Sequence, residues 1–99
     1  MPKKFRVEIT RSAEVDIREI YLYVSEDSEL SAINLVQELE NQIKTLETFP
    51  MRCAVIPESQ DLGTEYRHLI YGNYRTIFKM VGSRVIIMRV IHGARLLEM

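Results

Sequence analysis

Three apolar runs separated by two-residue turn sequences constrain this chain more than any other feature. From Tyr66 to Arg95 it reads YRHLIYGNYRTIFKMVGSRVIIMRVIHGAR. Gly72-Asn73 and Gly82-Ser83 divide the stretch into Tyr66–Tyr71, Tyr74–Val81 and Arg84–His92. Both dipeptides tolerate φ > 0, the backbone that a tight hairpin requires. β-Branched and aromatic residues dominate the runs, which suits a pleated surface with a buried face. The spacing predicts a meander of three antiparallel strands. In the last run Ile86, Met88 and Val90 share one face and Val85, Ile87 and Ile91 the other, the pattern of a central strand buried on both sides. Arg67, Arg75, Lys79, Arg84, Arg89 and Arg95 punctuate the stretch, and no residue from Tyr66 to Leu97 is acidic. The cations must emerge opposite the buried face or at the strand ends.

Upstream, Phe5, Val7 and Ile9 alternate with Lys4, Arg6 and Glu8, predicting a half-buried strand. Thr10 or Ser12 can cap a helix whose apolar stripe is Ala13, Ile17, Ile20, Tyr21 and Val24. After the polar break SEDSE, where Ser25 or Ser28 can cap again, a second helix is expected from about Leu30 to Thr48. Its stripe is Ile33, Val36, Leu39 or Glu40, Ile43 and Leu46, with Leu35 broadening it, and Pro50 stops it. Phe49–Gly63 has no period and reads as a packed loop. The order β-α-α-loop-β-β-β predicts an α+β fold: an antiparallel four-stranded sheet with a helical hairpin packed on one face. The first strand can lie at an edge or inside the sheet; periodicity does not decide.

A chain of 99 residues is expected to form one domain, 1–99. Its 46% hydrophobic and 27% charged residues exclude a disordered chain. The single cysteine, Cys53, has no partner for an internal disulfide, so nothing points to an oxidising compartment. The first ten residues, MPKKFRVEIT, lack the apolar core of a secretory signal. No apolar run approaches the roughly 18 residues of a membrane span. A cytoplasmic protein without membrane attachment is expected. The net charge of −1 is unevenly spread: residues 1–50 carry six basic and ten acidic side chains, residues 51–99 seven basic and four acidic. The second half can present a positive field to an acidic partner, or the two signs can be two solvated faces. So small an overall charge argues against a protein held on nucleic acid by electrostatics alone.

The order β-α-α-β-β-β resembles the RelE/ParE superfamily of toxins from type II toxin–antitoxin (plasmid stabilisation) pairs, and the ParE branch more closely. VEITRSAEVDIREIYLYV is similar to the family's first strand and helix, FPMRCAVIPE to its Phe-Pro loop, and YRHLIYGNYRTIFKM and VIIMRVIHGAR to its hairpin and closing His-x-x-Arg strand. The resemblance covers nearly the whole chain. It implies a growth-inhibiting toxin held by a cognate antitoxin in a hetero-oligomer.

Two mechanisms exist in that superfamily. RelE-like members cut mRNA on the ribosome, which needs cations for the developing phosphate charge and a group for proton transfer. If this chain were such an endoribonuclease, the resemblance would assign Arg75, His92 and Arg95 to catalysis. The tyrosine those enzymes carry beyond the last arginine is not matched, for LLEM follows Arg95, and Tyr66-Arg67-His68 stands where they carry a lysine pair. ParE-like members inhibit DNA gyrase by binding. That branch implies no catalytic residue and no cofactor; the basic sheet end offers Arg67, Arg75, Arg89 and Arg95 as the residues expected to touch target or antitoxin. Each arginine also has a plain reading, as a structural partner of carbonyls or carboxylates. His68 and His92 lack a third ligand at metal spacing. The reading adopted is gyrase inhibition without catalysis; its competitor is ribosome-dependent mRNA cleavage.

Overall fold

The computed structural model describes residues 4–93. Strand β1 (Arg6–Ile9) leads into helix α1 (Arg11–Ser25), which begins where the Thr10 hydroxyl accepts from the Ala13 amide. Ser28 caps helix α2 (Glu29–Lys44) in the same way through Ser31. Helix α2 then tightens into a 3₁₀ turn at Thr45–Glu47. The loop expected at 49–63 contains a second 3₁₀ turn, Pro50–Arg52, and a one-turn helix α3, Ser59–Leu62. Strands β2 (Arg67–Tyr71), β3 (Tyr74–Val81) and β4 (Arg84–His92) follow, within a residue of the expected limits. Gly72 and Gly82 open the two hairpin turns at φ 56° and 60°, where a Cβ would be strained. Among the described residues no helix is long and apolar enough to cross a membrane.

The sheet runs β1-β4-β3-β2, so β1 is an edge strand and β4 is central. The meander is antiparallel as expected, but β1 pairs parallel with β4, which makes the sheet mixed rather than antiparallel throughout. Chain parity explains the difference. The hairpin of α1 and α2 returns the chain to the end where β1 starts, and the Phe5 amide donates to Glu47 O at 2.8 Å. β2 therefore starts at that same end, and two hairpin reversals leave β4 running with β1.

Helices α1 and α2 cover one face. Ala13, Leu39, Ile43 and Leu46 meet Phe78, Val85, Ile87 and Val90 there, with Phe5 and Val7 of the first strand at the margin. The buried stripe of α2 runs through Ala32, Leu39 and Ile43 and continues to Leu46 in the 3₁₀ turn, while Ile33 is 38% exposed and Glu40 lies in solvent. The opposite face has a small core of its own, Ile56, Tyr66, Ile77 and Ile91, under the 50–65 segment. Val55 bridges to Arg67, and the Ile56 and His68 amides bond Tyr66 O and Ala54 O, so this segment is pinned along the outer side of β2.

One correction concerns β4. Ile77 pairs with Arg89 but Phe78 pairs with Ile87, so Met88 is an unpaired bulge residue. The extra residue shifts the alternation by one. Val90 therefore joins Val85 and Ile87 under the helices, and Ile91 joins Met88 on the far side, the reverse of their expected faces.

Candidate functional site

The far face of the sheet opens into a cleft of about 520 Å³ at the ends of β3 and β4. Its chemistry comes from Glu58, His68, Tyr74, Arg75 and His92, with the Gly72-Asn73 turn at the rim. Strand register places these groups. Arg75 lies opposite Ile91, and two residues before Ile77, on the face that the helices leave uncovered. His68 lies opposite Ile77 on the neighbouring strand. Glu58 arrives from the turn before α3. Gly93 closes the rim by donating its amide to Asn73 O at 2.7 Å.

Arg75 and Glu58 form the dominant contact. The guanidinium donates through Nη1 to Glu58 Oε1 at 3.2 Å and through Nη2 to Oε2, a bidentate fork. The side chains are only 8% and 13% exposed, so the pair sits in the wall of the cleft with its charges balanced. His68 is half-buried beside it, and its Nδ1 is buried without a hydrogen-bond partner. Burial first, and the positive charge of Arg75 second, push the His68 imidazole below its ordinary pKa, with Glu58 opposing them. His92 is exposed and meets Tyr74 edge-to-face, with ring centroids 5.8 Å apart.

The other arginines lie elsewhere. Arg67 donates to Cys53 O at 2.6 Å and pairs with Glu65 at 2.9 Å, tying the 50–65 segment to β2. Arg89 forms a fork with Asp16 of α1 at 2.7 and 3.0 Å. Arg84 pairs with Glu8 at the exposed end of β1. The structure thus brings Arg75 and His92 to one cleft but disperses Arg67 and Arg89, so no continuous strip of arginines forms. Arg95 lies outside the described residues. Two site residues were missed in sequence. Glu58 sits in an aperiodic segment, and only the fold reveals that it spans 17 positions to Arg75. His68 was weighed only as a metal ligand; its place on the same face as Arg75 follows from the hairpin register. Among the described residues no three His, Cys, Asp or Glu side chains cluster as a metal site would need. Cys53 is buried, and burial pushes its thiol up, which makes it a poor nucleophile.

The fold is that of small α+β toxins solved in toxin–antitoxin complexes. The chain aligns with the chromosomal ParDE toxin–antitoxin system from P. aeruginosa at TM-score 0.70 and 23% identity, covering 91% of this chain and 97% of that one. It aligns with the toxin–antitoxin complex RelBE2 from Mycobacterium tuberculosis at TM-score 0.68 and 16% identity, covering 90% and 98%. Residues 7–97 match the model of the ParE toxin of the type II toxin–antitoxin system parDE, and the chain belongs to that family. No curated protein matches it in sequence.

Proposed function

We propose that this ParE-family toxin arrests growth by binding DNA gyrase and not by cutting RNA, and that a cognate antitoxin neutralises it. The observation that carries binding over cleavage is the Arg75–Glu58 fork. A ribonuclease must neutralise charge that develops on phosphate, so its cation must be able to face substrate. The arginine of this cleft is instead balanced by a carboxylate of the same chain, with both groups nearly out of solvent. The imidazoles of His68 and His92 can move a proton, but proton transfer without charge neutralisation is half of that chemistry. Arg67 and Arg89 are engaged in holding segments together and act on partners only through the surfaces they position. The surface proposed for protein contact is the outer side of the helical hairpin. Leu22 and Tyr23 near the end of α1 and Leu30 at the start of α2 are 53%, 73% and 68% exposed and supply apolar side chains for such a contact.

The test sets two assays side by side on the purified toxin: supercoiling by gyrase, and primer extension on ribosomes programmed with mRNA. Loss of supercoiling with intact mRNA is expected, and the antitoxin should restore supercoiling. Codon-phased cleavage that disappears in Arg75→Ala or Arg95→Ala would overturn the proposal and install the nuclease reading.

A further inference from the structure

The Arg75–Glu58 fork differs from the three other ion pairs described between residues 4 and 93. Arg84–Glu8 and the local pair Arg67–Glu65 lie at the surface, and Arg89–Asp16 ties α1 to β4. The Arg75–Glu58 pair forms part of a cleft wall, beside about 520 Å³ of open space, a volume in the range of small-molecule sites. The carboxylate comes from the turn at Pro57–Ser59, which is secured by the Ser59 hydroxyl to Tyr66 and by the Ser59 amide to Ile56 O. The carboxylate therefore lies where a bound oxyanion would lie: across the guanidinium fork, with two imidazoles lining the same space.

We propose that this cleft is an oxyanion site which Glu58 fills from within the chain, and that its external ligand is a small phosphate monoester. The Glu58 carboxylate stands in for that ligand. The choice of a monoester follows from charge. A ligand carboxylate would exchange one negative charge for another and gain nothing over Glu58. A phosphodiester in a nucleic-acid backbone also carries one charge and gains no more over Glu58 than a carboxylate does. A terminal phosphate carries about −1.5 to −2 at neutral pH and three acceptor oxygens. It can engage Arg75 while also offering acceptors to His68 and His92, which Glu58 with two oxygens on the fork cannot do as well. Tyr74 and His92, in edge contact at 5.8 Å, stand at the rim of the cleft, where a ring attached to the phosphate can meet them. The inference shares the Arg75–Glu58 fork with the proposed function: the fork turns away the singly charged backbone diester that a ribonuclease must bind but yields to a doubly charged monoester, and binding of the diester would count against both.

The chain has two histidines, His68 and His92, so their imidazole signals report the cleft directly in proton–carbon correlation spectra. Inorganic phosphate, adenosine 5′-monophosphate and dimethyl phosphate would be titrated into the wild-type chain, Glu58→Gln and Glu58→Asp. Saturable shifts of both imidazoles are expected with phosphate and the monophosphate. Binding should tighten about tenfold or more in Glu58→Gln, where the internal competitor has lost its charge, and less in Glu58→Asp. Dimethyl phosphate, with one charge, should bind at least about tenfold more weakly. Adding Arg75→Gln to Glu58→Gln should abolish binding. Equal affinity in wild type and Glu58→Gln, a diester binding as well as a monoester, or binding that survives loss of Arg75 would each overturn the proposal. If Glu58→Gln does not fold, the wild type and Glu58→Asp decide: absence of saturable shifts in both refutes the site.

Discussion

Asp16 of α1 holds Arg89 of β4 across 73 positions of sequence, and the same carboxylate also takes the backbone amide of the next residue. Arg89 Nε donates to Asp16 Oδ2 at 2.7 Å, Nη2 to Oδ1 at 3.0 Å, and the Val90 amide to Oδ2 at 2.9 Å. The amide contact lies just past the bulge at Met88, where the ladder is interrupted. One acidic side chain thus balances a charge, satisfies a buried backbone donor and fixes the first helix over the central strand. Asp16 is 8% exposed, so its loss removes the acceptor of a buried amide.

Asp16→Ala is therefore expected to cost about 2–4 kcal/mol, because the buried Val90 amide loses its acceptor and half-buried Arg89 loses its fork. In a domain of this size that is a fall in Tm of about 10–20 °C. Asp16→Asn should recover part of the loss, since its amide oxygen can still accept from Val90. Thermal melts of the two variants check both claims; equal and negligible shifts would mean that Arg89 and Val90 find water instead.

The bulge also decides how two substitutions in β4 should differ. Val90 is 2% exposed beneath the helices, whereas Ile86 is only half-buried on the far face. Val90→Asp places an unpaired charge in the main core and should leave the chain insoluble. Ile86→Asp should remain soluble with reduced stability. Soluble expression and a melting curve for each distinguish them; equal behaviour would mean that the two sites are equally buried.

The legible and illegible parts of this fold follow from the range of the interactions that set them. The three-strand meander and both helix caps were readable because turn dipeptides and capping hydroxyls act within a few residues. The N-terminal strand was recognised by alternation, but alternation carries no direction, so its parallel pairing with β4 was not. Met88 looks like any apolar strand residue, and only its partner strand reveals that it is unpaired; the expected faces of Val90 and Ile91 were exchanged for that reason. Arg75 was named from its strand position and resemblance. Glu58, which determines what Arg75 can do, lies in a segment without period, and no local signal links the two. Arg89 meets Asp16, 73 positions away, and Arg67 turns to Cys53 O, 14 positions away, and no local pattern announces either contact.

Arg67 should act on the 50–65 segment more than on the sheet. Its guanidinium bonds Cys53 O at 2.6 Å from the start of β2, and its side chain is 15% exposed. Arg67→Met preserves the stem but leaves that carbonyl without its charged donor, a loss of about 1–2 kcal/mol. Amide exchange should accelerate at Ile56 and His68, whose bonds to Tyr66 O and Ala54 O clip the segment to the strand. Faster exchange throughout β3 and β4 instead would show that Arg67 supports the whole fold.

The last prediction concerns pH. His68 is half-buried, and the groups facing it are Arg75 and Glu58; burial and the guanidinium disfavour its protonated form, while the carboxylate favours it. Its folded pKa is depressed below the ordinary value of 6.5. Between the two values the unfolded chain binds the proton and the folded chain does not, so stability must rise with pH in that interval. The contribution is complete above about pH 6.5 and is lost as pH falls toward the folded value. Because the ring is partly solvated, the effect is expected to be a modest inflection on the broader acid denaturation of the carboxylates. His68→Gln should remove the inflection while leaving the rest of the profile unchanged, and His92→Gln should not. Urea midpoints measured from pH 7.5 down to 5 in the wild type and both variants decide the matter. An inflection that persists in His68→Gln, or one that disappears in His92→Gln, would assign the titration to another group and remove His68 from the electrostatics of the cleft.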